Sequence, residues 1–127
     1  MAALQSRYEG ILNILTIDAI MTEKTEERKM TITKKQNGST LEIALEGRLD
    51  TMTAPDLEKE LKDSMDGAEA LILDFADLAY ISSAGLRVLL AAHKAMSRKG
   101  GMKVINVNEI VREVFDVTGF ADILTIE

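Results

Sequence analysis

From Glu69 onward the chain repeats one unit: an apolar run of strand length, then a stretch with helical spacing, then another strand-like run. "EALILDF" (69–75) leads to "ISSAGLRVLLAAHKAMSRKGG" (81–101), then "MKVINV" (102–107) and "NEIVREVFDVTGF" (108–120). Strand, helix, strand units of this length require crossover connections, which are right-handed and make the joined strands parallel. The continuous apolar character of "EALILDF" predicts a central strand covered on both faces. Gly100-Gly101 stops the preceding helix, read as running from about 83 to 98. Arg87, Lys94 and Arg98 share one face of it, with Gly85, Leu89, Ala92 and Met96 opposite. Asn108 and Gly119 bracket a third helix, and the final "ADILTIE" is a candidate edge strand.

The preceding part of the chain supplies two further strands and a helix. In "MTITKKQNGST" (30–40), Asn37-Gly38 separates two alternating segments, and Asn-Gly is a strong hairpin signal because both residues tolerate positive φ. Strands near 31–35 and 40–46 are therefore expected to be antiparallel neighbours. "LDTMTAPDLEKELKDSM" (49–65) opens a helix, with Thr53 as its cap, Pro55 in the first turn and Asp56 near the positive end of the dipole. Leu57, Leu61 and Met65 give it a buried stripe. The fold expected is a single α/β domain with a mixed sheet of four to five strands flanked by helices, in the order β-β-α-β-α-β-α.

Residues 1–29 differ in character. Leu4, Tyr8, Ile11, Leu12 and Leu15 fall at helical spacing, yet Glu9, Asn13 and Asp18 interrupt any signal-peptide core, and "TEKTEERK" (22–29) reads as a charged linker. Two readings stay open: a flexible extension, with Met30 as an alternative start, or an amphipathic helix that docks on the domain or on a second copy. The domain boundary is accordingly drawn at residue 30.

Composition excludes several functions. A chain of 127 residues with no cysteine has room for one ordinary domain and offers no disulfide, thiolate metal site or thiol nucleophile. A net charge of −6, no Trp, and few other aromatics argue against a nucleic-acid footprint, and no apolar run approaches the roughly 20 residues of a membrane span. No phosphate-loop, zinc or calcium spacing occurs, so no cofactor or metal is expected; Asp74 and Asp77 read as residues shaping a loop at the strand exit. A cytoplasmic protein fits these facts.

"YISSAGLRVLL" (80–90) carries the chemistry. Ser82 and Ser83 stand where a strand enters a helix, so one of them can simply cap it. A nucleophilic serine is disfavoured: the G-x-S-x-G elbow is absent, and His93, ten positions along the same helix from Ser83, lies roughly 15 Å away. His93 reads as a core-edge residue. A phosphate acceptor is the other reading, because a helix N-terminus offers unpaired amides and a positive dipole end to a group carrying about −1.5 to −2 charges.

"LILDFADLAYISSAGLRVLLAAHKAMSRKGGMKVINVNEIVREVFDVTGFADILTI" (71–126), with "LEIALEGRLDTMTAPDLEKEL" (41–61) before it, resembles the anti-sigma factor antagonists of the STAS domain family. The resemblance implies a switch without catalysis of its own. The unphosphorylated antagonist binds an anti-sigma factor with a serine-kinase, ATPase-type domain and so frees the sigma factor; phosphorylation ends the binding, and a phosphatase resets it. The family's acceptor lies two residues before the helix glycine in a D-S-S-G pattern. In this register Ser82 takes the Asp position, Ser83 the acceptor position, Ala84 the next serine and Gly85 the glycine, with Ser82 as the weaker acceptor candidate. Asp50, from "GRLD", would lie beside the acceptor or serve only as a helix-entry residue. The implied partner surface comprises Asp50, Thr51, Ser82, Ser83, Gly85, Leu86 and Arg87, with Arg87 facing an acidic group and Gly85 allowing a partner backbone to approach. The rival within the same family is a STAS subunit of a lipid- or sulfate-type membrane transport system.

Overall fold

A computed structural model describes residues 30–127, and the readings made for residues 1–29 lie outside the described residues. The elements are β1 (Thr31–Asn37), β2 (Thr40–Leu49), α1 (Ala54–Ser64), β3 (Ala70–Ile81), α2 (Ser83–Met96), β4 (Met102–Ile105), α3 (Glu109–Thr118) and β5 (Thr125–Ile126), with short 3-10 turns at Met65–Gly67 and Phe120–Asp122. The five strands form one sheet in the order β1-β2-β3-β4-β5. β1 is antiparallel to β2, and β2 through β5 are parallel. The expected mixed α/β sheet is present, and the tail does add an edge strand.

Because the parallel strands lie side by side in chain order and right-handed crossovers always return on the same side, α1, α2 and α3 fall on one face. Leu41, Ile43 and Leu45 of β2, Leu71, Leu73 and Phe75 of β3, and Val104 of β4 are buried in one core with Leu57, Leu89, Val111 and Phe115 of the helices. The rings of Phe75 and Phe115 meet at 6.5 Å between centroids. The intervening residues Ala44, Ile72, Asp74 and Ile105 are only half-buried. β3 is thus central by pairing but alternates in burial, which corrects the expectation of a strand covered on both faces.

Three local expectations shift. Asn37 pairs with Thr40, so the hairpin turn is Gly38-Ser39, and Gly38, at φ +61°, supplies the positive φ at its first central position. β3 runs on through Asp74 and Asp77 to Ile81, with a register irregularity against β2, so these aspartates lie in a strand; the Asp74 carboxylate accepts from the Ala76 amide and from Asn106 Nδ2. Helix α2 ends at Met96, two residues early, where the Lys99 and Gly101 amides donate back to the Met96 carbonyl and Gly101 takes φ +91°. The expected caps of α3 are found: Asn108 Oδ1 accepts from the Val111 amide at 2.8 Å, and Gly119 is left-handed. At the β1 edge Lys34 reaches Glu60 of α1 at 2.8 Å, and that hydrogen bond is the chief reason the Glu60 carboxyl sits below its ordinary pKa.

Candidate functional site

The ends of β2 and β3 deliver two turns to the same corner. The Ser82 amide donates to the Leu49 carbonyl at 2.8 Å, which joins the start of α2 to the turn between β2 and α1. In that turn Asp50 folds its carboxylate over its own backbone: Oδ1 accepts from the Met52 amide at 2.9 Å and the Thr53 amide at 3.1 Å, the pattern of an Asx turn. Thr53 occupies the cap position of α1, but its side chain makes no cap. Its hydroxyl donates to the Arg48 carbonyl at 2.7 Å and accepts from the Asp50 amide at 2.9 Å. The expected Thr53 cap is therefore replaced by a loop lock in which Asp50 and Thr53 hold each other.

The two serines separate sharply. Ser82 is 2% exposed and sits at the N-cap position of α2 with extended backbone, yet its hydroxyl caps nothing and has no hydrogen-bond partner. Ser83 is the first helical residue and is exposed. No side chain caps this end of α2, and its first turn holds no acidic residue. The helix thus presents the positive end of its dipole to solvent beside a free serine.

Of the residues expected on the partner surface, Thr51, Ser83 and Arg87 are exposed, while Asp50, Ser82, Gly85 and Leu86 are buried. Gly85 lacks a Cβ for an internal reason. An added Cβ would stand 2.7 Å from Leu49 Cγ and 2.9 Å from Ile81 Cγ1, so the absent methyl lets α2 lie close on the ends of β2 and β3. That gives the missing Cβ an internal cause that requires no partner backbone. Asp50 Oδ2 is a second buried oxygen without a partner, on a residue 4% exposed.

Met52 was missed by sequence reasoning. It is 60% exposed at the tip of the Asp50–Thr53 turn. The available signal was a long apolar side chain between two threonines, in a turn too short to bury it. Between α1 and α2 an apolar groove of about 460 Å³, lined by Thr51, Pro55, Ala84, Val88 and Ala91, with Arg87 and Glu58 among its polar residues, opens beside this corner. His93 is half-buried farther along α2, its Nδ1 without a partner. Among the described residues no group of His, Asp and Glu side chains is gathered as a metal site, and no helix is long and apolar enough to cross a membrane.

The model of the STAS domain matches residues 31–127. The chain belongs to the STAS domain family. It is 31% identical over 93 residues to the anti-sigma-B factor antagonist of Bacillus subtilis, an alignment covering 72% of this chain and 85% of that protein. It is 35% identical over 99 residues to BtrV of Bordetella bronchiseptica, covering 76% and 85%. Among solved structures, an anti-sigma factor antagonist from Mycobacterium paratuberculosis matches with a TM-score of 0.70 at 22% identity, over 76% of this chain and 84% of that one. The phosphorylated form of the Bacillus cell fate determinant SpoIIAA matches with a TM-score of 0.61 at 18% identity, over 76% and 91%. The STAS fold of this chain is thus the architecture shared by those antagonists, with the serine corner at the carboxyl ends of its parallel strands.

Proposed function

We propose that this STAS domain is an anti-sigma factor antagonist switched by phosphorylation of Ser83. In the unphosphorylated state it binds an anti-sigma factor bearing a serine-kinase domain and releases the sigma factor. The observation that carries the reading is the contrast between adjacent serines: Ser83 is exposed at the uncapped start of α2, whereas Ser82 is buried. Names among the relatives and the existence of a phosphorylated form of SpoIIAA support it.

The chemistry asked of this chain is small. The kinase transfers the γ-phosphoryl group of ATP to Ser83 Oγ; the new O–P bond replaces the β–γ bridge, ADP leaves, and the hydroxyl proton goes to the kinase's base. The product is tolerated at the helix start, because the dipole and the open amides favour negative charge there. The same group adds size and charge to a corner whose exposed side chains include Thr51, Met52 and Arg87, so it blocks a partner there. A phosphatase that hydrolyses the ester restores the hydroxyl.

The test is to incubate the protein with ATP and the serine kinases of its own cell, map any phosphate by mass spectrometry, and compare the binding of wild type, Ser83→Ala and Ser83→Asp to the anti-sigma factor. Phosphate on Ser83 is expected, with binding kept by Ala and weakened at least about tenfold by Asp. Equal binding by all three variants overturns the switch. Recovery of a permease or transport ATPase in place of an anti-sigma factor would replace this reading by a transport one.

A further inference from the structure

We infer that Arg87 is the internal partner of a phosphate on Ser83, so that phosphorylation withdraws a cation from the docking face as well as adding an anion to it. This rests on the proposed modification of Ser83 and states how that modification acts. Ser83 and Arg87 are residues i and i+4 of α2, one turn apart on the same flank, where Cβ atoms stand roughly 5–6 Å apart. Both are exposed. An anion placed one turn N-terminal to a cation is the favourable order along a helix. Arg87 has no ion-pair partner among the described residues. The first turn of α2 contains no carboxylate and no side-chain cap to compete for either group. A guanidinium can engage two phosphate oxygens at once, which a lysine at the same position cannot do.

The consequence is a change of sign at one spot. With Ser83 unmodified, Arg87 stands on the rim of the α1–α2 groove beside Thr51 and Ala84, available to an acidic group of the partner. With Ser83 phosphorylated, the guanidinium turns to its own helix, and the pair together carries about −0.5 to −1 where the surface held +1. Charged residues on the neighbouring segments are Arg48 and Asp50 at the end of β2 and in the turn after it, and Glu58 and Lys62 of α1 along the groove. They are common to all the proteins compared below, so they cancel.

The experiment places phosphoserine at position 83 during translation, which removes any dependence on a kinase, and compares Arg87 with Arg87→Gln and Arg87→Lys. The 31P resonance is titrated through the second ionisation of the phosphate. A neighbouring cation favours the dianion, so the midpoint of the Arg87 protein is expected about 0.15–0.4 pH unit below that of the Gln variant, with Lys between them. Equal midpoints overturn the inference. In a binding assay with the anti-sigma factor, the penalty from phosphate is expected to shrink by up to about fivefold in the Gln background, the worth of one exposed ion pair, and an undiminished penalty also overturns it. The two layers separate cleanly. A shifted midpoint with full partner binding sinks the switch and leaves the pair standing; equal midpoints with lost binding do the reverse.

Discussion

Where the parallel strands begin, polar groups close on one another; where they end, they are left open. At the first pole the Lys99 ammonium donates to three carbonyls, those of Met65, Asp66 and Ala68, at 3.0, 3.2 and 2.9 Å. The Glu69 and Gly100 amides donate to the carbonyls of Ser39 and Glu69 at 2.7 and 2.6 Å, which ties hairpin, β3 and the end of α2 together. At the second pole Ser82 Oγ and Asp50 Oδ2 are buried without partners, α2 starts without a side-chain cap, and Met52 stands in solvent. Buried polar groups are ordinarily satisfied, and those that are not gather where a protein meets something else. The closed pole holds the fold, and the open one is where the proposed partner surface lies.

The largest effect should come from tightening the closed pole further. A Cβ on Gly100 would lie 2.6 Å from the Glu69 carbonyl oxygen, a backbone atom held by its neighbours. Gly100→Ala is expected to cost about 3 kcal/mol in urea denaturation, the upper end of overpacking, while leaving partner affinity of the folded protein unchanged. An unchanged midpoint would mean that this pole is looser than its hydrogen bonds indicate.

Gly85→Ala asks the same question at the open pole. The obstructing atoms there belong to the side chains of Leu49 and Ile81, and alanine returns up to about 1 kcal/mol of helix propensity. The net loss is expected to be about 1–2 kcal/mol, with partner binding retained. Full stability with binding abolished would favour the reading of Gly85 as a partner's point of approach. Next in size is Lys99→Met, which strips three carbonyls at the ends of α1 and its following turn of their shared donor. A loss of about 1 kcal/mol is expected, because those carbonyls turn to water once the ammonium is gone.

The same contrast explains what the sequence made legible. The sheet, the crossovers and the core follow from apolar periodicity and from Gly and Asn at element ends, because burial and backbone geometry act through residue type alone. The serine motif located the corner because its spacing to Gly85 is local. What stayed hidden depends on how distant turns meet. Nothing in "GRLDTMT" (47–53) states that Thr53 will lock onto Arg48 and Asp50 in place of capping α1. That Ser82 is shut in while Ser83 faces out needs the contact between β2 and the start of α2. The place of the hairpin turn slipped by one residue because Asn37 could serve as well in a strand as in a turn, and pairing with Thr40 decided it.

The smallest loss is the most discriminating. A serine at an N-cap ordinarily contributes about 1 kcal/mol through its hydroxyl, so Ser→Ala there is costly. Ser82 holds the position without the bond, and its buried hydroxyl bears a desolvation penalty that nothing offsets. Ser82→Ala is therefore expected to cost nothing and to raise the unfolding free energy by up to about 1 kcal/mol. The Ser82 hydroxyl is a donor and Asp50 Oδ2 an acceptor, on segments already joined by the bond from the Ser82 amide to the Leu49 carbonyl. If the two oxygens met in solution, Ser82→Ala would cost about 1.5–3 kcal/mol, as for a hydrogen bond to a charged group, and Asp50→Asn would share that loss. No loss of stability in urea titration of Ser82→Ala leaves the pole open in the free protein, with two unspent polar groups beside the serine proposed as the acceptor.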